Sequence, residues 1–132
     1  MVSSIKGQNT RPEMQVRRFL HGRGFRFRIT RKDLPGKPDL TLPRWNAAIF
    51  VHGCFWHSHA NCRYAAVPKT RPEFWEAKLA ANTARDVRAV RLLHDLSWRV
   101  ITVWECSLRN SAELTLKELE KAIRSDVAYI EL

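Results

Sequence analysis

An α/β fold with a mixed central sheet flanked by helices is predicted by three observations. Two capping-box signatures, Thr10-Arg11-Pro12-Glu13 and Thr70-Arg71-Pro72-Glu73, each open a stretch with apolar residues at helical spacing. Short apolar runs bounded by Pro, Gly and Asn lie between and after them. The resulting order is helix, three strands, helix, strand, helix, which suits layers of helix on a sheet.

The first helix follows Thr10 as cap, with Glu13 reaching back, carries its stripe on Val16, Phe19 and Leu20, and stops at Gly22 and Gly24. Phe25, Phe27 and Ile29 alternate with Arg26 and Arg28, the pattern of a strand with one basic face. Asp33 to Pro38 is turn chemistry, Leu40–Leu42 a short strand, and Pro43 to Asn46 a second turn. Ala47–Val51 is nearly all apolar, as a strand buried on both faces requires. The second capping box starts the longest helix, expected to run to about Leu96 with Trp75, Leu79, Val90 and Leu93 on its stripe. Asn82 and Asp86 fall on that same stripe, and a core-facing carboxylate is costly unless paired. Trp98–Trp104 reads as a strand, Thr115 to Ile123 as a helix, and Val127 to Leu132 as a short apolar tail. The whole chain, 1–132, is expected to be one domain, with residues 1–9 as an N-terminal arm.

Lys and Arg number 23 against 13 Asp and Glu, a formal net charge of +10, and the arginines are spread along the chain. This points to a polyanionic partner, most simply nucleic acid, on a folded basic face. No apolar run approaches membrane-spanning length and no secretory signal opens the chain, so a cytoplasmic protein without membrane association is expected. Three cysteines cannot pair completely and suit metal ligation or burial as thiols.

The stretch from Val51 to Cys62 holds two of the three cysteines, three of the five histidines and two adjacent aromatics. Cys54, His59 and Cys62 are spaced C-x4-H-x2-C, and Cys106 after the last central strand can supply a fourth ligand to a closed structural zinc site. The plainer reading leaves Cys106 a buried thiol. His57 is then free of the metal and suited to general acid–base work, with Asp86 as its orienting carboxylate and His52 able to share the network. Asp39, directly after a Gly-Lys-Pro turn, is placed to hold Mg2+ against a phosphate, or is simply a turn aspartate. Phe55 and Trp56 can wedge between base pairs, or one can pack on the core. Glu13 is explained by its cap and can also face the site.

These residues resemble the very short patch repair endonucleases, the Vsr-type DNA mismatch endonucleases. The likeness runs from about Ser3 to Arg109 and rests on Lys6-Gly7-Gln8-Asn9-Thr10-Arg11-Pro12-Glu13, Leu34-Pro35-Gly36-Lys37-Pro38-Asp39, Phe50 to His57, Thr70 to Trp75 and Val103-Trp104-Glu105-Cys106. The resemblance implies a restriction-endonuclease-like fold and Mg2+-dependent nicking of one strand 5′ of the mismatched thymine in a T·G pair, the product of 5-methylcytosine deamination. It implies that Asp39 and the backbone carbonyl of Val51 hold Mg2+, that His57 activates water oriented with help from Asp86, and that His52 and Glu13 support the site. Phe55 and Trp56 would enter the base stack from the major groove, with Val2, Ile5 and Lys6 of the arm also on DNA. Cys54, His59, Cys62 and Cys106 would hold structural zinc. The acidic-x-lysine element usual in this nuclease fold is absent, and Phe50-Val51-His52 occupies its region, so histidine would replace lysine. The implied partner is mismatched double-stranded DNA, bound by a monomer, with mismatch-repair proteins and a DNA polymerase as possible associates. The rival readings are a zinc-containing DNA-binding module without catalysis and a restriction-type nuclease acting on other DNA.

Overall fold

Side chains alternate across the two central strands, and this alternation organises the fold. The computed structural model describes residues 10–29 and 31–132. Strand β3 (Ala47–His52) sends Ala47 and Ile49 to one face and Ala48 and Phe50 to the other. Strand β4 (Arg99–Trp104) does likewise, with Ile101 and Val103 on the first face and Val100 on the second. Helices α1 (Arg11–Gly22) and α4 (Ala112–Arg124) cover the first face through Val16, Leu20, Leu116, Leu119 and Ile123. Helix α2 (Pro72–Asp95) covers the second through Leu93. Each such fully buried leucine contributes about 2 kcal/mol.

The described residues form one five-stranded sheet in the order β1-β2-β3-β4-β5, where β1 is Arg28–Ile29, β2 is Leu40–Leu42 and β5 is Tyr129–Glu131. The β1–β2 and β2–β3 pairs are antiparallel, and β3–β4 and β4–β5 are parallel. The mixed sheet with helices on both faces is therefore as the sequence predicts. Helix α2 is the crossover between the parallel strands β3 and β4, which need a long connection. β3 is buried along almost its whole length, as its apolar run requires.

Several elements differ from expectation. The first strand is two residues long, because Phe25 turns into the core beneath α4 instead of extending the ladder. Thr10 caps α1 by accepting from the Glu13 N–H at 3.3 Å, but the Glu13 carboxylate does not complete the box; it pairs with Arg17 one turn on. The second capping box is not formed: Arg71 occupies the cap position in a left-handed conformation, and Pro72 starts the helix. Helix α3 (Glu105–Asn110) and strand β5 add two elements that short, weakly patterned segments did not reveal. The tail pairs because β4 has a free edge, and Val100, Ile101 and Thr102 take Tyr129, Ile130 and Glu131 as partners.

Arg99 ties this region together. Its guanidinium donates to the carbonyls of Trp45, Ala122, Ile123 and Val127, and Ala122 and Ile123 lie in the last turn of α4, where carbonyls lack helical partners. Gly36 brings the loop before β2 against α2 at φ +74°, where an added Cβ would lie 2.6 Å from the Ala89 side chain.

Candidate active site

The end of β3 delivers Val51 and His52, and the antiparallel partner strand delivers Asp39 beside them. The Asp39 N–H donates to the Ile49 carbonyl at 3.0 Å, and the Val51 N–H donates to the Asp39 carboxylate at 2.7 Å. Burial pushes the Asp39 carboxyl up to about 7; the Val51 N–H opposes this, the Glu13 carboxylate adds to it, and His57 and Arg17 oppose it. The Glu13 carboxylate and the His57 ring thus both bear on Asp39. Glu13, 3% exposed, reaches this site from α1 with Arg17 as its ion-pair partner.

After β3 the chain makes a tight loop in which the His57 N–H donates to the Gly53 carbonyl and the His59 N–H to the Cys54 carbonyl. Helix α2 holds this loop at two points one turn apart. Asn82 donates to the Trp56 carbonyl at 3.1 Å, and the Asp86 carboxylate meets His57 Nδ1 at 2.7 Å. The carboxylate on the helix stripe therefore has the partner its position demands. His52 and His57 stack face to face, 3.7 Å between centroids and 2° between planes. Burial, with His57 adding to it, pushes His52 down to about 4, so this imidazole is neutral at pH 7. Its Nδ1 is buried with no hydrogen-bond partner among the described residues. His52, His57 and Asp86 are near enough to share an ion, but parallel rings direct their in-plane lone pairs side by side, a better geometry for an imidazole–carboxylate pair than for a chelate.

The ligand atoms of Cys54, His59, Cys62 and Cys106 all lie within 4.8 Å of one another. Cys106 comes from the first turn of α3, directly after β4, and its Sγ is 3.4 Å from His59 Nδ1. Three thiols and one imidazole in this space can hold zinc, and would tie the loop after β3 to the start of α3, which follows the neighbouring parallel strand β4.

Phe55 and Trp56 project from the loop half-buried, and both meet Trp75 edge to face, at 5.5 and 5.8 Å between centroids. Trp75 also contacts Phe74 at 5.2 Å. The sequence reading put Trp75 on the core stripe of α2. It stands on that stripe but in the first turn, where it packs against the loop aromatics and is absent from the buried core. Trp75, Asn82, Arg17, Trp104 and Glu131 are the residues around the site to which sequence reasoning gave no functional role; only Trp75 and Asn82, on the same stripe as Asp86, had a visible signal. Val2, Ile5, Lys6 and the rest of the arm lie outside the described residues. No helix among the described residues is long and apolar enough to cross a membrane.

The chain is similar to several known proteins. The family model described as DNA mismatch endonuclease Vsr matches residues 1–63. The chain is similar to the type II nicking enzyme V.XorIIP of Xanthomonas oryzae pv. oryzae (strain KACC10331 / KXO85), with 46% identity over 114 residues, 86% of this chain and 83% of that one. It is 41% identical over 120 residues to the DNA mismatch endonuclease Vsr of Escherichia coli (strain K12), covering 91% and 76%. It is 38% identical over 120 residues to the type II nicking enzyme V.NmeAIP of Neisseria meningitidis serogroup A / serotype 4A (strain DSM 15465 / Z2491), covering 91% and 84%.

Proposed function

The chain belongs to the Vsr family of DNA mismatch endonucleases, with the restriction-endonuclease-like fold of that family, and we propose that it nicks one strand of duplex DNA 5′ of the mismatched thymine in a T·G pair, using Mg2+. The observation that carries this reading is the pairing of His57 with Asp86 next to the buried Asp39 carboxylate, below a cluster of half-buried aromatics.

The residues fit a hard divalent cation. Asp39 is a carboxylate whose charge is penalised by burial, and Arg17, whose charge opposes that penalty, is already paired with Glu13. Asp39 and the carbonyl of Val51 would hold Mg2+ through oxygen ligands. Bound there, the ion lends positive charge to the scissile phosphate. Cys54, His59, Cys62 and Cys106 would hold zinc, for which thiolates are the fitting ligands.

His57 takes a proton from the attacking water at Nε2, because Nδ1 is committed to Asp86. The Asp86 carboxylate accepts from Nδ1–H, which fixes the tautomer and steadies the imidazolium once it forms. His52 supplies a flat neutral wall behind His57 and adds no second positive charge when His57 is protonated. Glu13 and Arg17 close the site on the α1 side.

Phe55, Trp56 and Trp75 form the wedge. Inserting such rings costs a few kcal/mol of unstacking per base step, least where pairing is already defective. That difference favours a mismatch. Arginine contacts to phosphates add affinity without sequence information. The working unit is one endonuclease domain over residues 1–132, with residues 1–9 as a DNA-contacting arm that includes Val2, Ile5 and Lys6; it acts as a cytoplasmic monomer on the nucleoid, with mismatch-repair proteins and a polymerase downstream.

The test is strand cleavage across a panel of mismatched and fully paired duplexes, with and without Mg2+. Cleavage confined to T·G duplexes with Mg2+ is expected. Binding without cleavage would favour a zinc-containing DNA-binding module, and equal cleavage of paired DNA would favour a restriction-type nuclease.

A further inference from the structure

We propose that Glu131, on the last strand of the sheet, is a positioning residue for the active-site histidines, acting through Trp104. The inference rests on the reading of His57 as the base.

The contacts form an unbroken series. Glu131 Oε1 accepts from Trp104 Nε1–H at 2.8 Å, and Oε2 accepts from the Tyr129 hydroxyl at 2.6 Å, so both carboxylate oxygens are committed. The Trp104 backbone is held by the same end of the chain, its N–H donating to the Leu132 carbonyl at 3.0 Å. One face of the indole stacks on His59, 4.0 Å and 4° apart. Its ring meets His52 edge to face at 5.2 Å and 71°, and His52 in turn stacks on His57. Trp104 is thus the wall shared by the cysteine–histidine cluster and the histidine pair.

A wall in this place needs a latch. A cavity of about 690 Å³ opens between α2 and the sheet, and Trp104, His52, His57, His59 and Glu131 all line it. On the side of the cavity, packing alone does not hold the indole. A buried N–H left without an acceptor costs about 1–3 kcal/mol, enough to tilt the ring toward another partner. The tilt would loosen His52 and, through it, His57. Displacements near 1 Å at a reacting group can cost about a hundredfold in rate.

The experiment is nicking of a T·G duplex under multiple and single turnover, with zinc content measured on each purified variant. Glu131→Ala is expected to lower kcat about tenfold, with KM and zinc content unchanged. Glu131→Gln, whose amide oxygen can still accept from Trp104, is expected to restore the rate to within about twofold of wild type. The double variant Glu131→Ala/Trp104→Phe is expected to be no slower than Trp104→Phe alone, because the glutamate acts only through the indole. If Glu131→Ala does not fold, the Gln variant and the comparison of Trp104→Phe with Glu131→Gln/Trp104→Phe carry the same test. A wild-type kcat in Glu131→Ala overturns the proposal, as does rate loss that tracks zinc loss or multiplies in the double variant. In either case an inactive His57→Ala variant leaves the base assignment standing. A fully active His57→Ala variant removes that assignment and this inference with it.

Discussion

Replacing Asp39 with Asn should make the metal-free protein more stable while removing its response to Mg2+. The fold raises this carboxyl from its ordinary 3.8 to about 7, chiefly by burial. A group raised in the folded state binds more protons there than in the unfolded chain between those two values, so stability is lost as pH climbs through that window. By pH 7 and above, ionised Asp39 costs the native state about 4 kcal/mol. His52 works in the opposite sense. Its folded value is lowered from 6.5 to about 4, so stability is gained as pH rises through that range. The contributions of these two groups nearly cancel from about pH 4 to 6.5. Asp39→Asn removes the Asp39 slope, so its stability should rise relative to wild type as pH climbs and exceed it by up to about 4 kcal/mol near pH 7.5. The assay is urea unfolding at half-unit pH intervals in Mg2+-free buffer, without a chelator that would strip a thiolate-held metal. Millimolar Mg2+ should then raise wild-type stability and leave the Asn variant unchanged. Parallel pH profiles for the two proteins, or equal Mg2+ responses, would refute the reasoning.

Other perturbations probe separate parts of the site. Asp86→Asn would offer His57 Nδ1 a donor where it now has an acceptor, forcing the proton onto Nε2; nicking should fall about 10³-fold or more while DNA affinity, read by gel shift, holds. Cys106→Ala should release the metal held by the cysteine–histidine cluster and lower the unfolding midpoint, so unchanged zinc by elemental analysis would show that Cys106 is no ligand. Gly36→Ala should destabilise by about 1–3 kcal/mol, since its Cβ would meet Ala89 2.6 Å away and the φ is left-handed; an unfolding midpoint equal to wild type would show that α2 shifts freely.

What was legible in the sequence was whatever a local pattern or an unusual residue set could express. The apolar density of Ala47–Val51 marked the central strand, and the stripe through Leu79, Asn82, Asp86 and Leu93 marked both the face of α2 and the carboxylate that needed a partner. Cys54, His59 and Cys62 share one loop, so their grouping could be read from spacing. The fold brings Cys106 to them from the start of α3. The pairing of His57 with Asp86 was also legible, but contacts made by the last strand and by Arg99 were not. Nothing near Glu131 indicates that it will meet Trp104, because that contact depends on parallel pairing of β5 with β4. Arg99 looked like one more basic residue, yet from the start of β4 it satisfies carbonyls at the end of α4. The second capping box misled because Arg71, held over the Phe74 ring at 4.7 Å, takes the cap position in place of Thr70.

The most direct measurement is the mapped position of the nick. A T·G duplex labelled at the 5′ end of either strand is incubated with the protein and Mg2+, and the products are sized at nucleotide resolution. One product, from the thymine strand, ending at the phosphate 5′ of the mispaired base, is the predicted result. Cuts in both strands, or the same cuts in a fully paired duplex, would contradict it.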